Sequence, residues 1–364
     1  MKEWTNPFNP FNSMKVLMWR EQLEGIAKQK YLPPVTADTD PTNRCNYNCI
    51  WCNAFDYMQG SKHTISEAHL LKLADFYKEW GVYSTCVAGG GEPLLNPGLN
   101  SFLERLHKNN IEPGVITNAS VMTDEHIETI ARTCRWVGIS MDAGTAGTYS
   151  KVKGIKDAKY FNKVIENIEK LTKKIEELET KCDVAYKFLL HPINAKEIFM
   201  AAELAKSLGI RDFHLRPVGW DNLSVTKDKE KISFAEILKD VNDQIDAAMN
   251  LEDGKFRVFG VKHKFDPNMK RKISFSRCWA PPLLATFGAD GNCHLCFDMR
   301  GRKDLILCRH DPDPREILKV WGSDFHKNMI AKIDPKTCPR CTFGPYNEIV
   351  EQVFINDGMC KKFP

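Results

Sequence analysis

The sequence predicts an α/β fold: a parallel sheet curved into a partial (β/α)6 TIM-like barrel, followed by a small C-terminal β-hairpin/helix domain. Three observations carry this expectation. Strand-like and helix-like runs alternate from residue 35 to about 220, the rhythm breaks between 221 and 270, and a hairpin pattern with a second group of cysteines follows. Repeated βα units imply a parallel sheet, and six of them imply a partial barrel. The expected divisions are an N-terminal extension over 1–34, the barrel over 35–220, a connector over 221–270 and the C-terminal domain over 271–364.

Each element has its own justification. Val35–Thr42 reads as a strand leading into a cysteine loop, and Thr64-x-x-Glu67 is a capping box that predicts a helix from Thr64. Ser84–Ala88, Gly114–Thr117, Trp136–Met141, Val184–Leu190 and Phe213–Val218 are the next strands. Between them lie helices over Leu99–Lys108, from the Thr123 cap to Thr133, over Tyr160–Lys181, and over Ala195–Leu208 ended by Gly209. Phe161, Val164, Ile165, Ile168, Leu171, Ile175 and Leu178 recur at spacings of three and four, the pattern of an amphipathic helix. The connector holds a charged helix over Ser233–Met249 and a strand over Lys255–Val261. Leu283–Phe287, the turn Ala289-Asp290-Gly291 and His294–Phe297 make the hairpin, Asp-Gly being a strong turn dipeptide.

Composition narrows the function. With 364 residues the chain can bury a large core, and a net charge of +4 spread over a mixed surface gives no argument for nucleic acid. No window approaches 18 uninterrupted apolar residues, so no membrane span is expected. The N-terminus lacks the apolar run of a signal peptide. Thirteen cysteines without such a signal point to reduced thiols in the cytoplasm, serving metal or packing.

Cys45, Cys49 and Cys52 are spaced C-x3-C-x2-C. Three thiolates leave one iron of a 4Fe–4S cubane open to a non-protein ligand. The alternatives are a zinc knuckle or buried structural cysteines. Zinc sites usually pair two C-x2–4-C or C/H units close together, and no further cysteine follows within thirty residues. The spacing resembles the signature of the radical S-adenosylmethionine (SAM) enzymes. That resemblance implies a cluster whose open iron chelates SAM and whose electron cleaves it to a 5′-deoxyadenosyl radical. It also implies that Trp51, the aromatic residue before the last cysteine, packs near the SAM adenine, unless it only shields the cluster from water.

Further residues fit the same resemblance. Gly90-Gly91-Glu92-Pro93 follows the second strand, at the edge where ligands of parallel barrels collect, and is similar to the family's GGEP element that binds the SAM amino group. Ser140 and Asp142, two apart and expected on one strand face, resemble the polar pair that meets the methionyl carboxylate or ribose, Asp142 being equally able to cap a turn. Asn118, after the third strand, is placed similarly or is a turn residue. Lys187, His214 and Arg216 hold SAM or an anionic substrate if they point inward; barrel-end salt bridges are the alternative.

The C-terminal cysteines give the second resemblance. Cys278-x12-Gly291-x4-Cys296 and then Cys338-Pro-Arg-Cys341 resemble Twitch, the reduced form of the SPASM domain, which implies one auxiliary 4Fe–4S cluster on Cys278, Cys296, Cys338 and Cys341. A zinc site on the same four thiolates is the alternative. Of the other six, Cys86 and Cys134 read as core, Cys182 has no assigned role, and Cys293 and Cys308 can substitute for an auxiliary ligand. Cys360 is the candidate donor of a hydrogen atom to a substrate radical, with a structural role as its alternative.

The implied cofactors are SAM and two 4Fe–4S clusters, with a reducing partner such as flavodoxin or ferredoxin. The expected reaction is hydrogen abstraction from a small polar substrate (a sugar, nucleotide sugar or cyclitol), ending in dehydrogenation or epimerisation. The 34 residues before the barrel are too few for a separate peptide-binding domain, which sets this reading ahead of a peptide-modifying maturase. A non-catalytic iron–sulfur scaffold, the third class, needs neither the GGEP element nor an open iron.

Overall fold

The computed structural model describes residues 13–52, 61–157, 159–218, 234–260, 273–338 and 341–355. Helix α1 (Arg20–Ala27) precedes strand β1 (Thr36–Thr39). There follow α2 (Glu67–Trp80), β2 (Ser84–Val87), α3 (Leu99–Lys108), β3 (Glu112–Thr117), α4 (Asp124–Thr133) and β4 (Trp136–Ser140). Next come α5 (Ala146–Lys153), α6 (Lys159–Glu177), β5 (Asp183–Leu190), α7 (Ile198–Ser207), β6 (Asp212–Pro217), α8 (Leu238–Met249) and β7 (Arg257–Phe259). The C-terminal part contains β8 (Leu284–Phe287), β9 (Asn292–His294), β10 (Ile306–Arg309), α9 (Glu316–Val320), α10 (Asp324–Ala331) and α11 (Gly344–Ile349).

These strands form a single open sheet in the order β10-β9-β8-β1-β2-β3-β4-β5-β6-β7. The six βα units expected from sequence occupy its middle. The sheet is wider than expected at both edges: β7 pairs parallel with β6, and β8 pairs parallel with β1. The C-terminal hairpin is thus an extension of the barrel's own sheet, because Thr36–Thr39 still has a free edge for Leu284–Phe287 to satisfy. The return strand is Asn292–His294 rather than His294–Phe297, and a third strand, β10, runs antiparallel to it.

Alternation along the strands sets what faces the helices and what faces the barrel interior. Val87, Val115, Val137, Ile139, Tyr186 and Phe213 point outward and join Leu70, Leu73, Phe102 and Ile168 in one apolar core. Asp38, Cys86, Gly114, Trp136, Lys187 and His214 take the other parity, as register partners or near partners across β1 to β6. Trp136 lies across Gly114: a Cβ there would meet the indole at 2.1 Å. The indole therefore floors the interior beneath the C-terminal strand ends.

Local corrections have local causes. Helix α2 is capped by Ser66, whose hydroxyl accepts from the His69 amide, and not by Thr64. Thr64 is occupied by a 2.7 Å hydroxyl contact with Thr42 and an isolated bridge to it. Thr123 does cap α4, with His126 completing a reciprocal capping box. Helix α5, absent from the sequence reading, is capped by Thr145 and ends at Gly154 with φ +61°. Strand β4 stops at Ser140, and Asp142 has φ +58°, so Asp142 does not share a strand face with Ser140.

Filling the space held open at Gly114 tests this packing. Gly114→Ala should lower stability by about 1–3 kcal/mol, the cost of overpacking a core, seen as a lower urea midpoint with unchanged slope. An unaltered midpoint would show that Trp136 is free to move aside.

Candidate active site

The loop carrying Cys45, Cys49 and Cys52 is fixed through its backbone. From one side, Gly91 N donates to Thr42 O at 3.1 Å and Glu92 N to Arg44 O at 2.8 Å. From the other, Asn48 N and Ile50 N donate to Lys153 O and Val152 O at the end of α5, both at 3.1 Å. Two glycines permit this approach: a Cβ on Gly91 would lie 2.0 Å from Arg44 O, and one on Gly154 would lie 2.0 Å from Asn48 O. Asn46 is clipped to the end of β3, donating to Ser120 Oγ at 2.8 Å and accepting from Asn118 Nδ2 at 2.9 Å. Cys45 is exposed and the other two thiols are partly so. Burial pushes the Cys49 thiol up to about 12, opposed by Lys153, and raises Cys45 as well. Ionising these thiols is therefore unfavourable without a bound cation, the condition a metal centre meets.

Glu92 lies beside that loop and is 3% exposed. One carboxylate oxygen accepts from Thr117 Oγ1 at 2.5 Å and Leu94 N at 3.1 Å; the other accepts from Asn118 N at 2.7 Å. Burial raises its pKa against these hydrogen bonds. Glu92 thus braces the turn and β3, and its second oxygen retains capacity for one more donor. Asn118 spends its side chain on Asn46 and Ser120. Ser140, at the end of β4, is the register partner of Lys187. Asp142 accepts from Leu189 N at 2.7 Å and pairs with Lys153 Nζ at 2.7 Å, both side chains at least 96% buried. Trp51 is buried against Val152 and Val218 and lies on the His191 ring at 5.5 Å. Lys153 was not singled out from sequence, since no short motif links it to cysteines a hundred residues earlier.

The barrel interior is polar and divided by charge. Asp38 is 8% exposed, and Asp40 pairs with Arg300 at 2.6 Å. On the opposite strands, Lys187 Nζ is 3.0 Å from His214 Nδ1. Burial and the nearby Arg216 push Lys187 down to about 8. Lys187 does point inward, its chain crossing Gly138 and its ammonium 5.9 Å from the Trp136 ring. Cys86 faces this interior too, within electrostatic reach of Asp38, Arg300 and Lys187, and is not a helix-side core residue. The alternation in Thr36-Ala-Asp38-Thr-Asp40 was a legible sign of two inward acids; Arg300 gave none.

The C-terminal cysteines meet in a second place. Cys278, Cys296 and Cys341 line a small cleft with Leu295, Phe297, Phe343 and Asn347. Cys338 acts electrostatically on both Cys278 and Cys296. Asp298 holds the chain after Cys341 by accepting from Thr342 N at 2.6 Å and Thr342 Oγ1 at 3.0 Å. Asn347 accepts from Ala280 N at 2.8 Å and donates to Cys341 Sγ at 3.5 Å. Burial raises Cys278 and pushes Cys296 up to about 12. Four thiols gathered in one place can each bind a different iron of a cubane or together bind one zinc ion. Cys293 and Cys308 are register partners across β9 and β10. Cys134 and Cys182 are buried, and Cys360 lies outside the described residues.

Comparison with known proteins places this geometry. A family model described as the Radical SAM superfamily matches residues 39–205. The chain is 28% identical over 223 residues to the antilisterial bacteriocin subtilosin biosynthesis protein AlbA of Bacillus subtilis (strain 168), covering 58% of this chain and 47% of AlbA. It is 24% identical over 221 residues to an S-adenosylmethionine-dependent nucleotide dehydratase of a Thermoplasmatales archaeon (strain ISO4-H5), covering 61% of this chain and 69% of that protein. The chain thus spans about half the length of AlbA. Among solved structures, Streptococcus suis SuiB bound to precursor peptide SuiA has a TM-score of 0.64 at 17% identity, over 90% of this chain and 73% of SuiB. The anSMEcpe structure with bound AdoMet and a peptide has a TM-score of 0.57 at 15% identity, over 87% and 88%. These two likenesses concern the fold. No helix among the described residues is long and apolar enough to cross a membrane.

Asp38 makes the interior testable by pH. Burial raises its carboxyl from the ordinary 3.8 to about 7. The folded state then keeps a proton that the unfolded chain releases, a stabilisation complete below pH ~4 and lost as pH rises through about 7. Asp38→Asn should therefore gain on the wild type as pH rises from 5 to 8, by about 3 kcal/mol over that range. Urea melts of both proteins across that range check it; parallel pH profiles would contradict it.

Proposed function

We propose, this chain being a radical SAM enzyme, that Cys45, Cys49 and Cys52 hold the 4Fe–4S cluster at which SAM binds and is cleaved. The observation that carries this reading is the pinning of the thiol loop against Gly91 and Lys153 at the C-terminal edge of the parallel sheet. Bound there, cluster and SAM together supply a hydrogen-abstracting radical. The residues around them position that chemistry. Gly90 and Gly91 bring backbone close to the amino end of SAM, and the spare acceptor capacity of Glu92 suits its ammonium. Ser140 and Asn118 stand at the adjoining strand ends, and Trp51 shields the adenine side from water. Asp142 acts through Lys153, its carboxylate being already engaged.

In the same reading Cys278, Cys296, Cys338 and Cys341 hold the auxiliary cluster, and a flavodoxin- or ferredoxin-type protein supplies electrons in the cytoplasm. The substrate places a polar group between Asp38 and the basic side chains Lys187, His214 and Arg216. A sugar, nucleotide sugar or cyclitol suits those walls, ending in oxidation or epimerisation. A second reading, modification of a peptide whose polar side chain enters the same space, is favoured by the match to AlbA and by the fold likeness to SuiB.

The cysteine assignment is tested by changing Cys45, Cys49 and Cys52 to Ala in anaerobically purified protein. Deoxyadenosine formation should vanish while about four irons per chain remain from the second cubane. Undiminished deoxyadenosine would refute it. Turnover of candidate sugars and peptides in deuterated water then separates the classes: solvent deuterium in product marks epimerisation, and net loss of two electrons marks dehydrogenation.

A further inference from the structure

Cys293 and Cys308 are Cα partners on the antiparallel strands β9 and β10, next to a register shift between Ile306 and Cys308. Opposed residues in such a pair have Cα atoms about 4.5–5.5 Å apart, within the ~4.4–6.8 Å range that disulfides occupy. The two differ in access: Cys293 is 1% exposed in the core beside Phe287 and Leu295, whereas Cys308 is partly open to solvent. Neither belongs to the thiols that surround Cys278, which are Cys296, Cys338 and Cys341. Cys134 and Cys182 also lie near each other, but both are buried, so an oxidant has no comparable route to them.

We propose that Cys293 and Cys308 form a redox-responsive dithiol that closes to a cross-strand disulfide when a peroxide reaches Cys308. Cys308 is the first nucleophile because it is partly open to solvent, whereas Cys293 is buried; the thiolate is the reactive form. Its sulfur attacks one peroxide oxygen, an S–O bond forms, the O–O bond breaks, and the departing hydroxide takes a proton to become water. Cys293 then attacks the Cys308 sulfenic acid; the S–S bond forms, the S–O bond breaks, and the second oxygen leaves as water with the Cys293 proton. Two thiols and one hydrogen peroxide give one disulfide and two waters. The bond would fix the β9–β10 register three residues before Cys296, coupling an oxidising signal to the segment that carries a C-terminal thiol ligand.

The test uses the full-length protein purified anaerobically with its iron. It is exposed to one equivalent of hydrogen peroxide, denatured in excess alkylating agent and mapped by mass spectrometry without reduction. The expected product is a Cys293–Cys308 linked peptide that disappears on dithiothreitol treatment, and in Cys308→Ser protein Cys293 should be recovered alkylated. Recovery of both cysteines separately alkylated would overturn the proposal, as would Cys308 oxidised to the sulfinic acid beside a reduced Cys293. The wild-type mapping decides the matter even if the variant folds poorly.

Discussion

The Nζ of Lys153 lies 2.7 Å from the Asp142 carboxylate with both side chains removed from water. Removing one partner of such a pair costs about 3–5 kcal/mol, because it strands the other charge. Much of the site hangs on these two residues. Asp142 takes up a left-handed conformation that Asp tolerates better than most residues, and with it joins the end of β4 to Leu189 on β5 and to Asn194 before α7. Lys153 ends α5, and its own carbonyl, with that of Val152, anchors the cysteine loop. The ion pair thereby converts the rigidity of the sheet into a fixed position for three thiols.

The interior below that loop follows from the same sheet. Parallel strands covered by helices bury their outward faces in apolar packing, which leaves the other parity to set the chemistry. Here that parity is acidic on β1 and basic on β5 and β6, with Arg300 from the C-terminal region reaching back to neutralise Asp40. Arg300 also donates to Phe297 O at 2.7 Å, next to Cys296, so the acidic wall and the second thiol group are one connected structure. A change at either is expected to be felt at the other.

The C-x3-C-x2-C loop, the Gly90-Gly91-Glu92-Pro93 turn and the βα alternation were legible because each is local: spacing, turn chemistry and periodicity are written in neighbouring residues. Helix α5 was missed because its eight residues, Ala-Gly-Thr-Tyr-Ser-Lys-Val-Lys, carry little amphipathic pattern and it is defined by its caps. Alternation extended two residues past Ser140 puts Asp142 on a strand face, but the chain turns there. The pairing of β8 with β1 and the roles of Lys153 and Arg300 depend on contacts across 100 to 260 residues, which no local pattern encodes. Thr64-x-x-Glu67 shows the opposite failure: a sound local motif was overruled by the Thr42 contact that claims its hydroxyl.

The central claim is that the Asp142–Lys153 pair holds the cysteine loop in place. Amide hydrogen exchange of Asn48 and Ile50, whose N–H groups donate to Lys153 O and Val152 O, reports on it directly. In Lys153→Met protein both amides should exchange at least tenfold faster than in wild type, a change of about 1.4 kcal/mol in local opening, while amides in β2 and β3 keep their protection. Equal exchange at Asn48 and Ile50 in the two proteins, with the rest of the sheet intact, would contradict the claim.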